Sequence, residues 1–128
     1  CQEEMDVINN SDARVKAFFD AEMKRAMFEG TKWKFICDNI VKELPQNVYL
    51  SFDIDGLDPK LCPHTGTPVP GGFDIVQIVY LFKKVVDSGR KLIGFDLVET
   101  GVGDSNYDAV VASRLLWKMC NLMVKSHN

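Results

Sequence analysis

Two aspartates, Asp53 and Asp55, stand two residues apart at the close of an apolar run, Val48, Tyr49, Leu50 and Phe52. Such a run reads as a strand covered on both faces. Side chains alternate along a strand, so both carboxylates would point the same way, with Cα atoms about 6.5–7 Å apart. Two like charges at the end of a dry strand repel unless one is protonated or a cation lies between them. Hard carboxylate oxygens in that setting suit Mg or Mn. Gly56 and Pro59 turn the chain away. The pair therefore falls at the carboxyl end of a strand, where open α/β sheets hold ligands. The bland alternative is an aspartate pair that caps loop amides.

The words around the pair are more specific than the pair. Ser51 to Pro59, SFDIDGLDP, followed by Thr65 to Gly72, TGTPVPGG, resembles the third metal-binding segment of the ureohydrolase family. That family holds arginases, agmatinases, guanidinobutyrases and formimidoylglutamases. The resemblance implies that Asp53 and Asp55 are ligands of a two-manganese (Mn2+) centre, with Asp53 bridging. It places Thr67 beside the guanidino or imino group of a small cationic substrate. In FDLVET it maps Glu99 onto the glutamate that holds this group, and a carboxylate in a partly dry pocket is a good guanidinium clamp. It implies hydrolysis of a C–N bond, arginase- or formimidoylglutamase-like, by water activated between two cations. It also implies homo-oligomers. The family's other ligands, a histidine and an Asp-x-His-x-Asp cluster, have no counterpart here, so the site is expected to be incomplete in this chain alone. Where many members follow the glutamate with an Asn-Pro-type segment, this chain has Thr100-Gly101-Val102-Gly103.

Two other classes of function fit parts of the pattern. A D-x-D-G phosphotransfer nucleophile also follows a buried strand, but it wants Thr where Leu57 stands and does not account for TGTPVPGG. A calcium loop fits worse, because Gly56 comes too early and no closing Glu follows. The third class is a non-catalytic piece that packs or assembles with partners. Asp58 is expected to accept hydrogen bonds from its own turn. Asp96, inside a second apolar strand, needs partners, with backbone amides or a hidden ion pair expected. His64 reads as an exposed loop histidine, and His127 as part of a frayed tail.

A net charge of −3 gives no reason to expect nucleic acid or an anionic membrane as partner. No apolar run approaches the ~20 residues of a membrane span, and no signal peptide is visible. Four scattered cysteines without a CxxC pair read as reduced thiols of a cytoplasmic protein. The first residue is Cys1, consistent with a fragment or a processed product.

The elements that must position these residues follow from period and punctuation. Residues 1–11 show no clear period. Ser11 or Asp12 is placed to cap a helix from Ala13, with Gly30 as its stop. Trp33, Ile36, Ile40, Val41 and Leu44 make a second helical stripe, ended by Pro45. The strand at Val48 and the long loop come next. Ile75, Ile78, Val79, Phe82, Val85 and Val86 mark a third helix, ended by Gly89. Lys91 to Val98 is the second buried strand. A last helix from near Asp108 buries Ala112, Leu115, Leu116, Met119, Cys120 and Met123. Strand–helix–strand predicts a parallel crossover. Two parallel strands are too few to stand alone. The fold class is therefore α/β, and the resemblance makes residues 1–128 one partial domain. It would be the C-terminal portion of a three-layer α/β/α arginase-like fold with a parallel sheet, its N-terminal strands and metal-ligand segments absent.

Overall fold

The computed structural model describes residues 2–128. The chain divides into two compact units, residues 1–43 and 44–128.

The first unit is helical. It contains α1 (Gln2–Asn9), α2 (Asp20–Phe28) and α3 (Trp33–Glu43). The first helix was not expected from its polar sequence. It has acidic residues Glu3 and Glu4 in its first turn, which suits the positive end of the helix dipole. The helix expected from Ala13 starts later. Asp12 and Ala13 adopt φ of 50° and 62°, a left-handed conformation no helix of L-residues propagates. Ser11 instead donates its hydroxyl to the Ile8 carbonyl and accepts from the Val15 N–H. Gly30, at φ 99°, ends α2 as expected. The third helix stops at Glu43 because Leu44 precedes Pro45 and is biased away from helical angles.

The second unit carries β1 (Asn47–Asp53), a 3-10 turn (Ile54–Gly56), α4 (Ile75–Asp87), β2 (Lys91–Val98) and α5 (Tyr107–Ser126). The two strands pair in parallel, from Asn47 opposite Lys91 to Asp53 opposite Val98. Val48 faces Leu92 and Tyr49 faces Gly94, so Ile93 is an extra residue, a bulge in β2. Beyond it, Phe95 and Leu97 join Leu50 and Phe52 on the core side. Gly94 lets the Tyr49 ring lie across the strand. A Cβ there would come 2.8 Å from the Tyr49 ring.

The core lies on one side of the sheet. Phe52, Ile54, Leu57, Cys62, Ile78, Phe82, Val111, Ala112, Leu115 and Met119 are buried together, and Phe52 meets Phe82 edge-to-face at 5.5 Å. Each of the larger aliphatic and aromatic side chains among them contributes about 1.5–3 kcal/mol. The expectation that β1 is covered on both faces is corrected here. Tyr49 is 58% exposed and Ser51 is exposed, so β1 alternates in the half-covered manner. The helix α4 starts with a capping box: Asp74 accepts from the Val76 N–H, and Gln77 accepts from the Asp74 N–H. On α5, Leu116 and Cys120 face solvent, contrary to expectation, while Leu115 and Met119 carry the packing. His127 is not frayed. Its Nε2 lies 2.9 Å from the Leu92 carbonyl oxygen at the end of α5.

Candidate metal and substrate site

The carboxyl ends of both strands meet one loop. Asp53 is the last residue of β1, and Val98, its partner in register, is the last of β2. Glu99 follows at once, with φ of 58°. That left-handed turn is uncommon for a residue with a side chain. It is held by Thr65, whose hydroxyl donates to the Glu99 main-chain oxygen at 2.8 Å.

Asp55 does not sit on the strand, as the spacing predicts. The chain leaves β1 after Asp53 and tightens into the 3-10 turn. The Asp55 N–H then donates to Asp53 Oδ1 at 3.1 Å. Thus Asp53 caps an amide, the role the bland alternative gave the pair, and still leaves its second oxygen for other partners. Nor is the strand end dry. Asp53 is exposed and Asp55 half-buried. The Thr67 hydroxyl donates to Asp55 Oδ2. A Cβ on the neighbouring Gly66 would lie 3.0 Å from Glu99 Oε2, so the Glu99 carboxylate lies against the backbone just before Thr67.

Four residues singled out by sequence are thus brought together: Asp53, Asp55, Thr67 and Glu99. Their electrostatics favour a cation. Partial burial pushes the Asp53 carboxyl above the ordinary aspartate range. The Asp55 N–H pulls it back, and the Asp55 and Glu99 carboxylates push it up again. Among the described residues, no group of three or more His, Cys, Asp and Glu is arranged to hold a metal ion.

The base of the loop is closed by a bridge between Leu57 and Phe73. Asp58 accepts from the Lys60 N–H, as expected of its turn. The Cys62 thiol, fully buried, donates to the Ile54 carbonyl at 3.3 Å.

A model of the arginase family matches residues 2–121. The chain belongs to the arginase family. It is 35% identical over 85 residues to the N(1)-aminopropylagmatine ureohydrolase of Thermus thermophilus, covering 66% of this chain and 29% of that protein. It is 39% identical over 80 residues to mouse mitochondrial arginase-2, covering 61% of this chain and 22% of that protein. Among solved structures, arginase from Bacillus cereus superposes with a TM-score of 0.76 at 25% identity, over 93% of this chain and 40% of that one. The chain therefore spans less than a third of the length of these two curated relatives. The structural neighbours share the arginase fold, and the parallel pair with its helices agrees with the α/β class.

Within this arginase-family chain, two residues behave unlike their sequence reading. Asp96 is partnered by hydroxyls, Tyr49 Oη at 2.9 Å and Ser51 Oγ at 2.7 Å, and not by amides or a cation. This neighbour pushes the Tyr49 phenol upward, chiefly through the hydrogen bond. His64 is not a free loop histidine. Its ring and main chain both bind the carboxylate of Asp108. Neither Asp108 nor Thr65 was singled out as a partner. The signal was faint: an aspartate at the start of α5 and two glycines, Gly101 leaving room for the His64–Thr65 main chain and Gly103 for the ring.

A groove of about 580 Å³ lies elsewhere, between α4 and α5, lined by Ile75, Val79 and Trp117 with Arg114 and Lys118. It holds no carboxylate, and its two cations would repel a guanidinium. The strand tips remain the candidate site.

Proposed function

We propose that this chain supplies one wall of a manganese-dependent hydrolase site that cleaves a C–N bond in a small guanidino or formimino substrate. The observation that carries the reading is the convergence of the Asp53, Asp55 and Glu99 carboxylates, with the Thr67 hydroxyl, at two adjacent strand tips. Asp53 and Asp55 present hard oxygen donors, which fit manganese. Two ligands are a partial set, so the remaining ligands come from outside this chain. When bound, the metal pair supplies Lewis-acid activation of water.

Glu99 takes the cationic C–N group by charge-assisted hydrogen bonds. Thr67, already bound to Asp55, has its oxygen free to accept from a substrate N–H. Hydrolysis breaks the carbon–nitrogen bond, with the water oxygen ending on carbon and its protons on the leaving nitrogen. The names of the relatives, aminopropylagmatine ureohydrolase, agmatinase and arginase, support the guanidino class. The formimino alternative rests on the resemblance of the 48–72 and 94–99 segments alone. Homo-oligomeric assembly and a cytoplasmic setting belong to the same reading. Cys37, Cys62 and Cys120 stand outside any disulfide among the described residues, which supports a reducing compartment. No helix among the described residues is long and apolar enough to cross a membrane.

The test is a chimera in which the matched segment of the Thermus relative is replaced by this chain, assayed with manganese on agmatine, arginine and aminopropylagmatine. Urea release is expected, and Asp53→Asn or Asp55→Asn should lower it on the order of 10³-fold, about 4 kcal/mol in barrier. A chimera whose turnover ignores both substitutions would overturn the assignment.

A further inference from the structure

The loop that carries Thr65 and Thr67 is tied to the rest of the unit by a histidine–carboxylate pair outside the four site residues. The His64 main-chain N–H donates to Asp108 Oδ2 at 2.9 Å, and the ring Nδ1 lies 2.8 Å from Asp108 Oδ1. Asp108 is the second residue of α5 and only 1% exposed. Burial pushes its carboxyl up, but the two hydrogen bonds and the charge of His64 outweigh this, and it ends below the ordinary aspartate value. An ionised carboxylate only accepts, so His64 Nδ1 must carry the hydrogen.

The chain after Glu99 is shaped to that residue, Gly103 against its ring and Gly101 against its main chain. A Cβ on Gly103 would fall 2.5 Å from His64 Cγ and Nε2, and one on Gly101 would fall 2.7 Å from the Thr65 nitrogen. Neither glycine has positive φ, so both are there for space. The residue after His64 is Thr65, buried, with its hydroxyl on the Glu99 carbonyl.

We propose that His64 is a positioning residue: held by Asp108 and seated against Gly101 and Gly103, it fixes Thr65 on the Glu99 carbonyl and thereby sets where Glu99 and Thr67 stand relative to Asp53 and Asp55. This deepens the reading of Glu99 and Thr67 as substrate contacts and rests on it.

The experiment is amide hydrogen exchange of the 128-residue chain, read by NMR at Thr65 and Gly66 against the amides of β1 and β2. An asparagine at 64 places an N–H where Nδ1 stands, whereas a glutamine places one where Nε2 stands. His64→Asn should keep loop exchange within about 3-fold of the parent, while His64→Ala and His64→Gln should speed it about 10-fold or more, with β1 and β2 unchanged. Gly103→Ala should speed loop exchange about 10-fold alone and have little effect in a His64→Ala background. A ring that merely fills space would be replaced better by Gln than by Asn, and that order would overturn the proposal. Loop exchange unaffected by any of these changes would do the same. If His64→Ala does not fold, the Asn–Gln comparison still decides. Exchange needs neither metal nor substrate, so its outcome is independent of the chimera's.

Discussion

The Cys62 thiol donates to the carbonyl oxygen of Ile54, 3.3 Å away, from a position with no solvent exposure. Ile54 opens the turn that carries Asp55, so a buried sulfur eight residues downstream steadies the acidic pair. Two further carbonyls, of Leu57 and Asp58, lie 3.9 and 3.8 Å from the same sulfur.

Replacing that thiol should be felt at once. Cys62→Ala leaves a cavity and a carbonyl without its donor, and should cost about 1–3 kcal/mol in urea unfolding. Thiol reagents should discriminate in a Cys1→Ser background. Burial, then the charges of Asp108, Asp55, Asp58 and Asp53, push the Cys62 thiol upward, and Cys37 is also buried, whereas Cys120 is exposed. One fast thiol is expected in the native chain, and it should vanish in Cys120→Ser.

Acid should act on Asp108 with a definite sign. Its carboxyl sits below the ordinary value when folded, because the His64 bonds outweigh the upward push of burial. Its contribution is therefore fully present above the unfolded value of about 3.9 and is lost as pH falls through the lower folded value. Asp87, held down by Lys125 and then Lys83, has the same sign but is screened by solvent. Asp53, raised, works oppositely, and its penalty is relieved as pH falls toward about 3.9. Urea midpoints should drop steeply below about pH 4, and the drop should flatten in Asp108→Asn.

Divalent metal should reveal the acidic cluster. Without metal, Asp53→Asn should melt no lower than the parent, since it removes a charge crowded by Asp55 and Glu99. With millimolar manganese, the parent should gain thermal stability and the variant should not. Tight binding of two Mn2+ by the isolated chain would refute the view that its ligand set is partial.

Gly72 closes the loop without room to spare. A Cβ there would lie 2.6 Å from the Asp58 nitrogen, beside the Leu57 main chain. Backbone cannot swing aside as a side chain can, so Gly72→Ala should cost about 1–3 kcal/mol or more by denaturant titration.

Much of the second unit was legible because its signals were strong. The stripe of α4, the stop at Gly89, the start of α5 and both strands lie where periodicity and glycine placed them, as does the first unit's stop at Gly30, while the α5 stripe is narrower than expected. The polar α1 offered no stripe to read. Asp12 and Ala13 broke a period that otherwise looked helical. Asp55 was drawn onto a strand because residue spacing does not reveal that the chain tightens after Asp53. The double-faced cover expected for β1 failed because an apolar run also suits a strand with one open face. His64 was missed for a different reason. Its partner is 44 residues away, and only the folded chain brings a loop histidine to the first turn of α5.

The bulge at Ile93 acts as a parity switch for everything downstream. Before it, Leu92 faces inward; after it, the odd-numbered Phe95 and Leu97 do, and Asp96 is turned out to the hydroxyls of Tyr49 and Ser51. Flatten the bulge with every residue kept and the count inverts: Asp96 would fall opposite Phe52 and be driven toward the apolar layer, and the strand tip would hand over Leu97 opposite Asp53. Losing Ile93 itself should therefore be tolerated, whereas a one-residue deletion between Gly94 and Val98, with the bulge kept, should cripple both folding and the acidic cluster together.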